Sequence, residues 1–190
     1  RLIFPICDTA GRTVAFGARA LDPEDTPKYL NSPESALFHK SDTLYGLHLA
    51  QRAIVSSAKA AIVEGYTDVI ACHQAGITNV VATLGTALTS EHVRRLARLA
   101  GTIVLVFDGD AAGVKAAERG VAMCFAEEVS VLICVLPDGL DPDEMIKRDG
   151  ADALTAAIDA APDALAYDFE QFRIRHGVTS DPALRARITS

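Results

Sequence analysis

The run Ile103-Val104-Leu105-Val106-Phe107-Asp108-Gly109-Asp110 decides how this chain is to be understood. Continuous β-branched and apolar residues suit a strand buried on both faces, as in a parallel sheet covered by helices. The run empties directly into two carboxylates. Two residues apart at a strand end, Asp108 and Asp110 leave on the same side, and Gly109 between them permits a tight backbone turn. A second apolar run, Ala61-Ile62-Val63, ends in Glu64, with Asp68 four residues on. A third, Val131 to Leu136, is followed after a short turn by Asp141-Pro142-Asp143. In an open parallel sheet the ligand crevice lies outside the carboxyl ends of the strands. Carboxylates gathered there repel one another unless a cation sits between them, and hard oxygen ligands suit Mg²⁺ or Mn²⁺. Each acid also has a plainer explanation. Asp141 before Pro142 makes a common helix cap, Asp110 a cap for a following helix, and Asp68 a contact with a helix dipole. Glu64 suits two jobs, metal ligand or general base.

Outward from these motifs, strands and helices alternate. Leu2 to Ile6 and Thr13 to Ala18 are predicted strands around a turn at Asp8 to Gly11. Residues 22 to 35, with Pro23, Pro27 and Pro33, are predicted to be a long loop, a kind of segment that in compact domains is usually functional. Helices are predicted at Thr43 to Ala58, Thr67 to Ala75, Ser90 to Ala100 and Ala111 to Glu127. Strands are predicted at Ala61 to Glu64, Val80 to Thr83, Ile103 to Phe107 and Val131 to Leu136. Such alternation implies a parallel sheet with right-handed crossovers. Beyond Pro142 the pattern is helical: Pro142 to Arg148, Ala151 to Ala160 and Ala164 to His176. The expected division is 1–58, a basic-groove segment of hairpin, loop and helix; 59–145, a metal-binding core; and 146–190, a C-terminal helical segment.

The 190 residues are 49% apolar, enough for one good-sized core. No apolar run approaches eighteen residues, so no membrane span is expected. The first strand begins at once with Leu2-Ile3-Phe4-Pro5-Ile6, which suggests a piece of something longer. Cys7, Cys72, Cys124 and Cys134 form no C-x-x-C pair, so a zinc site is not expected and reduced thiols in a cytoplasmic protein are. His39, His48, His73, His92 and His176 pair with no nucleophile and are expected at the surface or an interface. The net charge of −7 is uneven. Residues 1 to 60 hold seven Lys/Arg against six Asp/Glu, net +1; the remainder holds eleven against nineteen, net −8. Nucleic acid would therefore be met through a local patch, weakly and with strong salt dependence. Arg19, Lys28, Asn31 and Lys40 are placed for phosphate contacts in or beside the long loop, and Tyr29 is placed to stack a base.

Glu64-Gly65-Tyr66-Thr67-Asp68 and Phe107-Asp108-Gly109-Asp110-Ala111-Ala112-Gly113 resemble the two acidic motifs of the Toprim domain, shared by bacterial primases, topoisomerases and some nucleases. Thr26-Pro27-Lys28-Tyr29-Leu30-Asn31-Ser32-Pro33, Phe38-His39-Lys40, Leu44-Tyr45-Gly46-Leu47 and Ala82-Thr83-Leu84-Gly85-Thr86-Ala87-Leu88-Thr89 resemble the RNA polymerase domain of bacterial DnaG-type primases. The similarity runs in order through residues 1 to 150. It implies an α/β fold: a Toprim-type parallel sheet with helices on both faces, preceded by a small β segment and followed by a C-terminal helical segment. It implies DNA-templated synthesis of short RNA primers, with Glu64, Asp108 and Asp110 catalytic. Two or more Mg²⁺ or Mn²⁺ ions would be held by these three with Asp68, Asp141 and Asp143, and no zinc in this chain. Implied partners are a single-stranded DNA template, met by Arg19, Lys28, Tyr29, Asn31 and Lys40, ribonucleoside triphosphates, and a replicative helicase through a module absent here. The implied location is cytoplasmic, at the replication fork. The family usually shows Phe-Gly-Gly-Arg where this chain has Phe16-Gly17-Ala18-Arg19, a departure expected to alter local backbone detail and not the role of Arg19.

Three other functions share parts of this pattern. A hydrolytic Toprim nuclease would keep the acids but has no need of the Lys28 to Asn31 loop. A topoisomerase domain needs a nucleophilic tyrosine, and Tyr66 inside the acidic motif is poorly suited. In a non-catalytic interaction module the acids would be a solvated face, binding metal only at millimolar levels.

Overall fold

The structure, a computed structural model, describes residues 1–108, 127 and 129–175. Two sheets organise it. The first is antiparallel, with strands β1 (Leu2–Cys7), β2 (Thr13–Arg19) and β3 (Tyr29–Asn31) in that order. The second is wholly parallel: β4 (Lys59–Val63), β5 (Val80–Ala82), β6 (Thr102–Phe107) and β7 (Ser130–Val135), in the spatial order β5-β4-β6-β7. The helices are α1 (Leu47–Ser57), α2 (Tyr66–Gln74), α3 (Ser90–Ala97), α4 (Pro142–Asp149), α5 (Ala151–Asp159) and α6 (Ala164–Arg175).

The parallel strands are apolar throughout because both faces are covered. Alternate residues go to opposite sides. Ala60, Ile62, Val81, Ile103, Leu105, Val131 and Ile133 pack with Leu47, Ala50 and Ile54 of α1, Val93 and Leu96 of α3, and Ala164 and Tyr167 of α6. Ala61, Val63, Val80, Ala82, Val104, Val106 and Cys134 pack with Val69 and Cys72 of α2, Met145 of α4, and Leu154 and Ile158 of α5. Each edge of the parallel sheet carries a further isolated backbone contact, which shortens the edge open to unwanted strand pairing. Tyr45 exchanges both backbone hydrogen bonds with Ala82 beside β5, and the Ile133 N–H on β7 donates to the Pro162 carbonyl.

The strand order reverses between β4 and β6. From β4 the chain crosses by α2 to β5 on one side, then returns by α3 to β6 on the other. Glu64 follows β4 and Asp108 follows β6, so these two acids flank the switch point of the sheet, where ligand crevices form.

Three expectations need correction. The helix predicted from Thr43 starts at Leu47, because Tyr45 is held in the bridge to Ala82 and Gly46 is left-handed at φ +79°. A Cβ at Gly46 would also stand 2.8 Å from Val69 Cγ1. The long loop contains a strand, β3, which pairs with β2 through Gly17–Asn31, Ala18–Leu30 and Arg19–Tyr29. Three residues amid prolines and charges are too few for a periodicity to show. Ala18, the departure at the Phe16 to Arg19 motif, lies in extended β2 backbone between Ile3 and Leu30, so no left-handed conformation opposes its methyl group. The helix expected over residues 111–127 lies outside the described residues, apart from Glu127. The described part of the last helix ends at Arg175, and His176 lies outside it.

Candidate functional site

Glu64 stands exposed at the end of β4, and Gly65 starts α2 immediately after it. A Cβ at Gly65 would come within 2.8 Å of Asp68 Oδ2, so a larger residue there would displace that carboxylate. That oxygen accepts the Gly65 N–H at 3.0 Å, forming the return half of a capping box. Asp68 is therefore turned into the start of α2 and is only 7% exposed. Burial, reinforced by Asp141, Asp108 and Asp143, pushes its carboxyl up to about 7. Asp141, Asp108 and Asp143 thus lie within electrostatic reach of Asp68.

Asp108 is half-buried at the end of β6. Asp110 lies outside the described residues. From β7 the backbone continues through Leu136, whose N–H donates to the Phe107 carbonyl, into a turn at Pro137–Gly139 and then to Asp141. Asp141 caps α4: its Oδ1 accepts the Glu144 N–H at 2.7 Å. Asp143, in the first turn of the helix, receives the Lys147 ammonium at 2.6 Å. Among the described residues no three His, Cys, Asp or Glu side chains are grouped closely enough to hold one ion as they stand. The donor chemistry is nonetheless uniform. All are hard carboxylate oxygens, and Lys147 already acts as a stand-in cation on one of them, which fits a hard divalent ion. The Cys72 thiol, near Asp68 and Asp143, is pushed by burial to about 12 and adds no soft donor.

The cationic rim is fastened to this acidic edge by aromatic packing. Tyr66, two residues after Glu64, is 4% exposed. Its ring centroid lies 4.7 Å from Phe4, 5.5 Å from Tyr29 and 5.5 Å from Tyr45. Its hydroxyl donates to the Ala18 carbonyl at 3.3 Å, and burial pushes its pKa to about 12. A residue so held is a packing hub and no nucleophile. Tyr29 carries both Arg19 and Lys28 beside its ring, 5.6 and 5.7 Å from the centroid. These cations thus stand over an aromatic group anchored to the residue that starts α2.

Asn31 differs from expectation. Its Nδ2 donates to the Leu84 carbonyl at 2.8 Å, tying β3 to the loop after β5. Its Oδ1 is buried with no hydrogen-bond partner among the described residues. Lys40 is tied by its backbone to the first turn of α3. Its carbonyl accepts from His92 Nε2 at 2.9 Å, and its N–H donates to Glu34.

The surface assignment of the histidines is overturned for His92, which is 0% exposed. Its Nε2–H meets the Lys40 carbonyl, so Nδ1 is the acceptor for the Thr89 N–H, and burial lowers its pKa. This neutral ring joins the N-terminal segment to the cap of α3. His73 is likewise structural, with Nε2 against the Val80 carbonyl at 2.9 Å. His39 is exposed as expected, paired with Glu34. Sequence reasoning missed Tyr66 and His92, since neither stands in a pattern that announces its partners. It also missed Lys147, although a four-residue helical spacing from Asp143 was a usable signal.

Comparison with known proteins gives the chain's family and fold. Residues 61–146 match a family described as Toprim-like, and residues 1–51 match the DNA primase catalytic core, N-terminal domain. A DNA primase of Pseudomonas aeruginosa is 46% identical over 187 residues, which are 96% of this chain and 27% of that protein. The RNA polymerase domain of Mycobacterium tuberculosis primase DnaG superposes with a TM-score of 0.83 at 34% identity, covering 98% of this chain and 68% of that one. A DnaG primase catalytic domain bound to single-stranded DNA superposes with a TM-score of 0.83 at 38% identity, covering 98% of this chain and 61% of that one. The chain spans about a quarter of the length of the curated relatives it matches.

Proposed function

This chain belongs to the bacterial DnaG-type primase family, within its RNA polymerase domain, and we propose that it carries the nucleotidyl-transfer centre for DNA-templated synthesis of short RNA primers. Toprim primase domains are generally metal-dependent. The observation that carries the proposal is the placement of Glu64 and Asp108 on either side of the sheet's switch point, with Asp141 and Asp143 close enough to perturb Asp68.

Glu64, Asp108 and Asp110, with Asp141 and Asp143, would hold Mg²⁺ or Mn²⁺, and Asp68 would orient the cluster from behind. When bound, such ions lower the pKa of a 3′-hydroxyl and neutralise charge on the phosphates. The chain's own contribution is positioning. β4 and β6 fix the two central acids on neighbouring strands about 4.8 Å apart. The Asp141 cap fixes the start of α4. Arg19 and Lys28, spread on Tyr29, would hold template or nucleotide phosphates, and Lys40 would extend that contact toward α3. Asn31 would set the distance between this rim and the loop after β5. Residues 1–58 then serve as the groove, 59–145 as the metal-binding core, and 146–190 as a helical support.

A single-stranded DNA template is supported by the DNA-bound relative; ribonucleoside triphosphates would be the substrates of the proposed activity, and a replicative helicase a partner through a module outside this chain. A topoisomerase role is disfavoured by the buried Tyr66. The test is incorporation of labelled ribonucleotides on a single-stranded template with Mg²⁺ or Mn²⁺, using the whole RNA polymerase domain. Template-dependent product that is lost in Asp108→Asn supports the proposal; product retained in that variant overturns it. Alone, these 190 residues should bind divalent metal yet make little primer, because accurate positioning supplies many kcal/mol of such a barrier. They cover only 61% and 68% of related primase domains. Robust synthesis by the chain alone would contradict that expectation.

A further inference from the structure

Among the described residues, Lys147 is a cation paired directly with one of the acids of the proposed ion site. Its Nζ lies 2.6 Å from Asp143 Oδ2, four residues earlier on α4. Asp141 and Glu144 attract it as well, and all three acids strengthen its hold on its proton. The Lys147 side chain is 70% exposed and that of Asp143 only 32%. The carboxylate is thus the more buried partner, and the ammonium reaches it on a flexible stem from solvent. Arg148, the next residue, faces elsewhere, pairing with Asp138 at 2.8 Å and Asp149 at 2.8 Å.

We propose that Lys147 exchanges partners: it neutralises Asp143 while the site lacks metal, is displaced when a divalent ion takes that carboxylate, and then binds the phosphates of the triphosphate that follows. The inference rests on the metal-binding reading above. Lys147 holds Asp143 Oδ2, so a divalent ion that takes that oxygen, alone or with Oδ1, displaces the lysine. A compact, strongly hydrated ammonium on a four-carbon stem suits both states, because it pairs as a point charge and needs no fixed geometry. Once freed beside a metal-loaded site, it faces the region where a metal-bound triphosphate brings several negative charges.

This device has a signature of opposite signs. In the whole RNA polymerase domain, Lys147→Met should bind Mn²⁺ about two- to fivefold more tightly by calorimetry, as removal of an exposed ion pair implies. The same variant should bind a non-hydrolysable ribonucleoside triphosphate with Mg²⁺ several-fold more weakly. Lys147→Arg should restore much of both. Arg148→Met, which removes an equal charge one residue away, should change neither by more than a small fraction of that amount. In the wild-type domain, Mg²⁺ addition should abolish the lysine ammonium's NMR correlation with Asp143. If Mn²⁺ binds the wild type but Lys147→Met leaves its affinity unchanged, or if metal and triphosphate affinities move in the same direction, the exchange is overturned while the metal site stands. If the wild type binds no divalent ion, the metal-binding reading itself fails.

Discussion

The acidic edge of the parallel sheet and the basic rim of the antiparallel sheet lie side by side yet are built in different ways. On the acidic edge, position comes from the backbone. Glu64 and Asp108 are where they are because β4 and β6 end there, and the parallel register carries Ile62 opposite Leu105 on neighbouring strands. On the basic rim, position comes from side-chain contacts. Arg19 and Lys28 lean on Tyr29, Tyr29 leans on Tyr66, and Asn31 is tied to Leu84. A site whose charge must not move is carried by strands buried on both faces. The proposed strand-gripping rim is carried by a short three-stranded sheet.

The sharpest break between the two halves is removal of the central acids. Asp108→Asn with Asp110→Asn should abolish Mn²⁺ binding by calorimetry and reduce nucleotidyl transfer about a thousandfold or more. Binding of single-stranded DNA should survive, because the rim does not depend on those residues. Retained metal binding in the double variant would remove the acidic edge from the mechanism.

The joint between the halves is the next target. Tyr66→Ala should destabilise the protein by about 3–5 kcal/mol in denaturant titrations, since a buried ring packed on three others is lost. Tyr66→Phe should cost only about 1 kcal/mol, the value of one hydroxyl hydrogen bond. If the two substitutions cost the same, the ring packing is not what joins the sheets.

Asp68 offers a pH test. Its carboxyl is raised from 3.8 to about 7 in the folded, metal-free protein, so the folded state holds that proton more tightly than the unfolded chain. The contribution to stability is complete below about pH 4 and is lost as pH rises through 7. Measured with chelator at pH 5 and pH 8, wild type should lose roughly 2–4 kcal/mol more over this interval than Asp68→Asn. Equal pH slopes would show that the burial of Asp68 is relieved in solution.

The smallest effects belong to the rim. Lys28→Ala and Lys40→Ala should each lower the dependence of log affinity for single-stranded DNA on log salt by about 0.7, with Mn²⁺ affinity unchanged. A slope equal to wild type would take that lysine out of the groove.

Much of this was legible beforehand. The continuous apolar character of Ile103 to Phe107 announced a strand buried on both sides, and the alternation of elements announced a parallel sheet. The apolar runs ending in Glu64 and Asp108 marked the ends of two neighbouring strands. Less legible were the starts and joints: α1 begins at Leu47 because Tyr45 pairs with Ala82, a residue thirty-seven positions later, and no local pattern carries that information.

By itself, then, the sequence determined the sheet, its two buried faces and which carboxylates end its strands, because these depend on periodicities of two and 3.6 that local residues obey. Only the tertiary structure decided that Tyr66 is a hub, that His92 is a buried neutral strut, that Asn31 holds the β5–α3 loop, and that Asp68 faces inward with a raised carboxyl. Those roles depend on which distant atoms arrive beside each side chain, and on how far water is excluded when they do.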